Sequence, residues 1–372
     1  MRRERRVRGA ALLAALAALA ACGGQSGPVR TADMEVARAS GARASSAVTP
    51  PPPPHVELQA TMDGVCELAD GVVRCAGRNL WGEVGDGTRE PHPDWVRVPG
   101  TEGAVQLSAG GRHVCVRIDD GTARCWGDDA FAQLGDGVGG EPRTSPVTVA
   151  GVRDIEEIRA GMAHTCARVR GGDVLCWGGM IDSVVLGFDL DPTSRRHPTR
   201  IASEVSRLVA GNERTFARTS HGWATWSPAR GAPPVPRLLD GLDDAVDLAS
   251  GIADECAVDA AGAVRCWGAS HPSTHQRPHD PETAQRIHGL PPATRVTVGR
   301  AHTCALVAGG QVYCWGELFG YASKPTTPER IEGIDDAVDL TAGFEFTCAR
   351  LRSGPVKCWG STDYLPEETV TR

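Results

Sequence analysis

One phrase, Gly-x4-Cys-x9-Cys-Trp-Gly, constrains this chain more than any other feature. It occurs complete five times, starting at Gly110, Gly161, Gly251, Gly299 and Gly343, with its parts at fixed spacing. A sixth unit around Cys66 and Cys75 has Thr61 for the first Gly, Ala76 for Trp and one residue fewer between the cysteines. A seventh, from Gly211, has lost both cysteines. Seven units fill residues 56–372 at about 45 residues each, the length of one four-stranded propeller blade. The expected fold is all-β, a seven-bladed β-propeller with disulfide-stapled hairpins.

The strands can be placed within each unit. Before the first Gly runs an alternating segment such as AVQLSAG, EEIRAG or AVDLTAG, the pattern of a half-buried strand. Two Cys-bearing strands follow. A fourth element opens with proline, as in PDWVRV, SPVTVAG, HPTRIA and, at the C-terminus, PEETVTR. Proline is tolerated at strand starts and sheet edges, so this element is expected outermost.

Hairpin geometry explains the cysteine spacing. With Cys115 opposite Cys125, the flanking pairs are Val116–Arg124, Arg117–Ala123 and Ile118–Thr122, leaving the loop Asp119-Asp120-Gly121. Three-residue hairpin loops end on a left-handed residue, normally Gly. The shorter first unit leaves Asp70-Gly71, a two-residue type I′ loop. Both registers bring the cysteines together as a non-hydrogen-bonded pair, with Cα atoms about 4.5 Å apart and within disulfide reach. The expected bridges are Cys66–Cys75, Cys115–Cys125, Cys166–Cys176, Cys256–Cys266, Cys304–Cys314 and Cys348–Cys358, which implies an oxidising compartment. In the odd unit the same positions hold Phe216 and Trp226, a cross-strand aromatic pair unless the register slips by one residue and puts Trp226 in the Trp slot. Structural zinc usually has paired cysteines two to four residues apart and four ligands converging, so no metal is assigned to these cysteines. Trp126, Trp177, Trp267, Trp315 and Trp359 face the other side of the sheet, where they are expected to fill the gaps between blades.

The stretches GRHVCVRIDDGTARCWGDDAFAQLGDG (111–137) and DGVVRCAGRNLWGEVGDG (70–87) resemble the regulator of chromosome condensation repeat. That pattern reads Gly-x-x-His, an Asp-Gly turn, Trp-Gly, and a glycine-rich tail that is clear at Gly82–Gly87 and Gln133–Gly137. The resemblance covers residues 56–372 and implies a seven-bladed propeller whose loops on one face grip a partner. Its best-known member is a nuclear nucleotide-exchange factor. The export signal, cysteine bridges and acidic charge of this chain depart from that activity.

Residues 1–21 have an Arg-rich head, an apolar run too short to span a bilayer, and small residues before Cys22. This layout resembles a bacterial lipoprotein signal, implying cleavage before Cys22 and lipidation of that residue. Gly23 in place of Asp implies the outer membrane or cell surface as destination. Residues 22–55 lack periodicity and end in five prolines, the composition of a disordered tether with a stiff end. Cleavage removes five arginines and one glutamate, leaving 34 basic and 45 acidic residues, a net charge of −11. Nucleic acid is therefore not expected as a partner, and membrane contact is expected only through the lipid.

Catalytic signatures are sparse. His113, His164 and His302 share one slot, two residues before the first Cys, and would meet a ligand only if they faced the central channel. The Asp-Gly aspartates Asp70, Asp86, Asp120 and Asp136 are explained by their turns. No nucleophile elbow, phosphate loop or His-Glu-x-x-His helix occurs. Catalytic, metal and cofactor residues are accordingly none. Residues 178–197 and 271–285 break the repeat, as specificity loops do. The expected function is a lipid-anchored, non-catalytic propeller that binds a protein or glycan. The alternative is an exported polysaccharide hydrolase or lyase with its site at the channel mouth.

Overall fold

The computed structural model describes residues 56–179, 196–211, 214–227, 235–252, 254–268, 284–317 and 327–370. The signal segment, Cys22, the tether and most of both irregular loops (180–195 and 269–283) lie outside them.

Seven antiparallel sheets follow one another along the chain. In the first, β1 (Val56–Ala60), β2 (Gly64–Ala69), β3 (Val72–Gly77) and β4 (His92–Arg97) pair in sequence order, and the next five sheets repeat this arrangement. The innermost strands are β1, Ala104–Ala109, Ile155–Ala160, Val205–Ala210, Ala245–Ser250, Ala293–Val298 and Ala337–Ala342. The proline-led segments are outermost, as their missing N–H requires. The seventh blade departs from the prediction. After Val356–Gly360 its last segment forms a 3-10 turn, Glu367–Thr369, and a single parallel bridge from Val370 to Cys358. Leu365 is drawn into the interface of the last and first blades, and the Thr369 hydroxyl closes onto the Pro366 carbonyl at 2.6 Å, so the segment curls instead of extending.

The cysteine register is as predicted. Cys115 pairs with Cys125, and Gly121 closes the loop at φ +80°. Cys66 pairs with Cys75 above a two-residue loop with Asp70 at φ +52° and Gly71 at φ +74°. All six bridges are present, with Cα separations of 4.0–4.1 Å. The odd blade is corrected: Phe216 pairs with Thr225, not Trp226. Its loop is the two residues Ser220-His221, closed by Thr219 Oγ1 donating to the Gly222 carbonyl at 2.9 Å. The slipped register therefore holds, and Trp226 takes the Trp position.

An innermost strand has one open edge, and its N–H groups need acceptors. Each blade lends side chains to the next. Gln106 Oε1 accepts from Ile158 N at 2.9 Å, Glu157 Oε2 from Leu208 N at 3.0 Å, and Asp247 Oδ2 from Val296 N at 3.0 Å. Asp339 Oδ2 accepts from Leu58 N at 3.0 Å, and Thr341 Oγ1 from Ala60 N at 3.0 Å. The last two bonds join the seventh blade to the first. The ring closes by packing first blade on last, with Leu58, Val65, Phe346 and Leu365 in one buried cluster.

The tryptophans fill the gaps between blades. Trp126, Trp177, Trp267 and Trp359 are almost wholly buried, and Trp315 nearly so. Trp126 Nε1 donates to the Glu83 carbonyl at 2.8 Å and Trp177 Nε1 to that of Gln133 at 2.9 Å, so the indole of one blade holds the glycine-rich tail of the blade before. A Cβ on Gly85 would lie 2.6 Å from Trp126 Nε1, which accounts for the glycine there.

Candidate functional site

The strand order gives the propeller two unlike faces. One, the turn face, carries the described innermost turns, such as Thr61–Asp63 and Gly110–Arg112, and the described tails after the third strands of the first two blades, 78–91 and 128–142. The other carries the hairpin loops and the links between blades.

The shared histidine slot opens onto neither face. His113, His164 and His302 are buried, with Nε2 2.8 Å from the hydroxyls of Thr165, Thr215 and Thr347 in the following blade. Thr165 Oγ1 donates onward to the Gln133 carbonyl at 2.7 Å. His113 must therefore donate from Nε2, which leaves Nδ1 without a proton and without a partner. Burial pushes these rings down to about 3 for His113 and about 4 for the other two, so they stay neutral. The first glycine of the unit makes room for the ring where a histidine follows: a Cβ on Gly161 or Gly299 would sit 2.2 Å from His164 or His302 Cε1. These histidines tie blades together. Among the described residues, no group of three His, Cys, Asp or Glu side chains is placed to hold a metal ion.

The aspartates act as turn residues. Asp120 accepts from Thr122 N at 2.8 Å, and its bonds to the Thr122 hydroxyl and amide lower its pKa. Asp136 is raised by burial, but the Val138 and Gly139 amides and Arg143 outweigh this and hold it low. Asp86 receives Thr88 N at 3.0 Å.

The central channel has a volume of about 230 Å³ and is lined from all seven blades. Its charged side chains are mutually engaged. Arg207 lies 3.3 Å from Asp247, Arg159 pairs with Glu157 at 2.9 Å, and Arg295 meets Asp339. The carboxylates there also accept interblade N–H bonds, so they serve the ring and are not free for acid–base work.

Among the described residues, aromatic and arginine side chains of the turn face gather along one arc, from the sixth blade through the seventh and first to the second. Here Arg300 stacks on Phe344 at 5.1 Å, Arg78 on Tyr364 at 5.5 Å and Arg112 on Trp81 at 4.9 Å. Leu80 (47% exposed) and Tyr364 (40%) stand beside them. Backbone bonds between blades stiffen the same arc: Arg300 N to Phe344 O at 3.0 Å, Phe344 N to Met62 O at 3.2 Å and Met62 N to Gly111 O at 2.8 Å. At the junction of the seventh and first blades lies a cleft of about 280 Å³, walled by Met62, Phe344, Phe346, Tyr364 and Leu365. Asp63, Arg78, Glu345 and Asp363 supply its charge. The opposite face carries Asp70, Asp119, Asp120, Asp154, Asp243, Asp244, Asp335 and Asp336 in its loops.

Sequence reasoning missed the arc. Met62, Arg112, Arg300 and Phe344 sit at the unspecified positions of Gly-x-x-His, where the repeat sets no residue type. The available signal was large side chains in turns that need only small ones.

Residues 104–133 and 293–317 match the model of the regulator of chromosome condensation (RCC1) repeat. These are RCC1-type repeats. Prp20p from Saccharomyces cerevisiae superposes with a TM-score of 0.65 at 18% identity, covering 78% of this chain and 81% of that one. Human WBSCR16 gives a TM-score of 0.64 at 17% identity, covering 78% and 89%. The human E3 ubiquitin-protein ligase HERC2 is 25% identical over 195 residues, which is 47% of this chain but 4% of HERC2. The seven-bladed RCC1-type propeller is thus supported by repeat match, topology and superposition together.

Proposed function

We propose that this RCC1-type propeller is an exported, lipid-anchored, non-catalytic binding protein that grips a protein partner through the turn-face arc. One observation carries the reading. Trp, Tyr, Phe, Met and Arg, the residues enriched at interface hot spots, gather on a backbone-locked arc of one face. The six local disulfides suit an oxidising compartment, and the sequence before Cys22 supports cleavage and lipidation there. The structurally similar Prp20p binds Gsp1p and histones, which supports a protein-binding role. The channel carboxylates and the histidine slot are taken up by interblade bonds, which supports binding over catalysis.

Two experiments test this. A photo-crosslinking residue placed at Leu80 in native cells is expected to give a discrete protein adduct, and one at Asp243 on the opposite face none. Adducts at 243 alone, or at neither, would overturn the assignment of the face. Cys22→Ser is expected to move the chain from the membrane pellet to the soluble fraction; a variant that still pellets would remove the lipid anchor from the reading.

A further inference from the structure

We infer that the cleft between the seventh and first blades is a receptor for a cationic side chain, lysine or arginine, presented by the partner. This rests on the turn face being the binding face, and names what one part of it recognises. The cleft holds the volume of a single long side chain, about 280 Å³, and no folded element fits it. One part of its wall is the aromatic and thioether surface of Phe344, Tyr364 and Met62, along which the methylene stem of Lys or Arg lies; the rest is polar and receives the charged head.

The ring faces already show this chemistry. Tyr364 takes the Arg78 guanidinium at 5.5 Å, and Phe344 takes that of Arg300 at 5.1 Å, each on one side of the ring. Charge then decides between a cationic and an anionic guest. Asp63, Glu345 and Asp363 line the cleft against the single cation Arg78. Glu345 is shared with Arg300 at 3.2 Å. Asp63 and Asp363 are exposed and have no ion-pair partner among the described residues. The surplus is negative, and an ammonium or guanidinium seated beside these carboxylates balances it.

The fixed geometry suits a receptor. Arg78 N donates to the Asp63 carbonyl at 3.0 Å, and Ser361 N to that of Glu345 at 3.0 Å, so both acidic residues lie in backbone-tied turns. Little ordering remains to be done when a guest arrives.

The test is calorimetric titration of the full chain in detergent with acetyl-Gly-Lys-Lys-Gly-amide and its glutamate counterpart. The lysine peptide is expected to bind and the glutamate peptide not. The double variant Asp63→Asn/Asp363→Asn should weaken lysine-peptide binding about tenfold, the worth of two exposed charge contacts, with Tm unchanged because neither side chain is paired among the described residues. Asp243→Asn/Asp244→Asn removes the same charge from the opposite face and should change binding less than about twofold. Tyr364→Phe should retain binding and Tyr364→Ala lose it. Equal effects of the two double variants, absence of lysine-peptide binding, or preference for the glutamate peptide would overturn the inference. A crosslink at residue 80 combined with any of these results would keep the binding face and reject the cationic guest.

Discussion

At the residue scale, the repeats solve one problem with different chemistry, and the difference can be measured. Asn79 in the first blade accepts from Val84 N at 3.0 Å and donates from Nδ2 to the Glu90 carbonyl at 2.8 Å. In the second blade the same slot holds Asp129, which accepts from Leu134 N at 3.0 Å but leaves Oδ2 buried without a partner. Burial raises Asp129 from 3.8 to about 6. A carboxyl raised in the folded state binds more protons there than in the unfolded chain between those values. Its contribution to stability is therefore full below about 4, falls as pH rises through about 6, and is flat above. Asp129→Asn should stabilise the chain by about 1–2 kcal/mol at pH 7.5, seen as a higher Tm, and that advantage over wild type should shrink as pH falls from about 6 to 4. Thermal melts from pH 4 to 8 check it; equal shifts at both ends would refute the account. Gly110 offers a second test. A Cβ there would lie 2.0 Å from the Gly161 carbonyl, a backbone atom of the next blade that cannot swing aside. Gly110→Ala should cost more than about 2 kcal/mol by denaturant unfolding. The same change at Gly140, where the added Cβ meets nothing, should cost only the strain of a positive φ.

At the element scale, the hairpins of the second, third and sixth blades are held both across and sideways. Across, the disulfide closes a loop of about ten residues and contributes roughly 2–3 kcal/mol by chain entropy, less where the hairpin is already formed. Sideways, the His–Thr bond joins it to its neighbour. Cys115→Ser/Cys125→Ser should lower stability by about 2 kcal/mol. Thr165→Val should cost about 1–3 kcal/mol, because it strands the His113 Nε2–H in a dry site. Thr165→Ser, which keeps the hydroxyl, should cost less than Thr165→Val, and a reversed order would disprove the hydrogen-bond account. The fourth blade shows that the staple is replaceable: Phe216 and Trp223 are buried where no disulfide exists.

At the scale of the whole molecule, closure rests on borrowed acceptors. Asp339 accepts from Leu58 N and also meets Arg295, so one carboxylate serves three blades. Asp339→Ala removes the acceptor for an edge N–H and the partner of a half-buried arginine. It should destabilise by about 2–4 kcal/mol and speed amide hydrogen exchange in Val56–Ala60 before other innermost strands. Uniform exchange across all blades would show that closure is not localised at that junction.

Period and spacing made the architecture legible. Two cysteines ten apart with glycine near the middle fix a hairpin register, because side chains alternate strictly and loop length sets the pairing. Seven such units of blade length then leave a propeller as the natural arrangement. The odd blade shows the limit of that reasoning. Without a disulfide, Phe216 faces either neighbour equally well in sequence terms, and only the Thr219–Gly222 closure selected Thr225. The curled end of the seventh blade was likewise illegible, since it follows from Leu365 finding the first blade's core, 300 residues away in sequence. The aromatic arc of the turn face belongs to the same class. Its residues sit at positions the repeat leaves open, and they become one surface only when seven blades close and bring residues 62, 78, 344 and 364 to a single cleft. Local periodicity sets strands and staples; the meeting of chain ends is a tertiary event, and the chemistry of that seam is written in no single repeat.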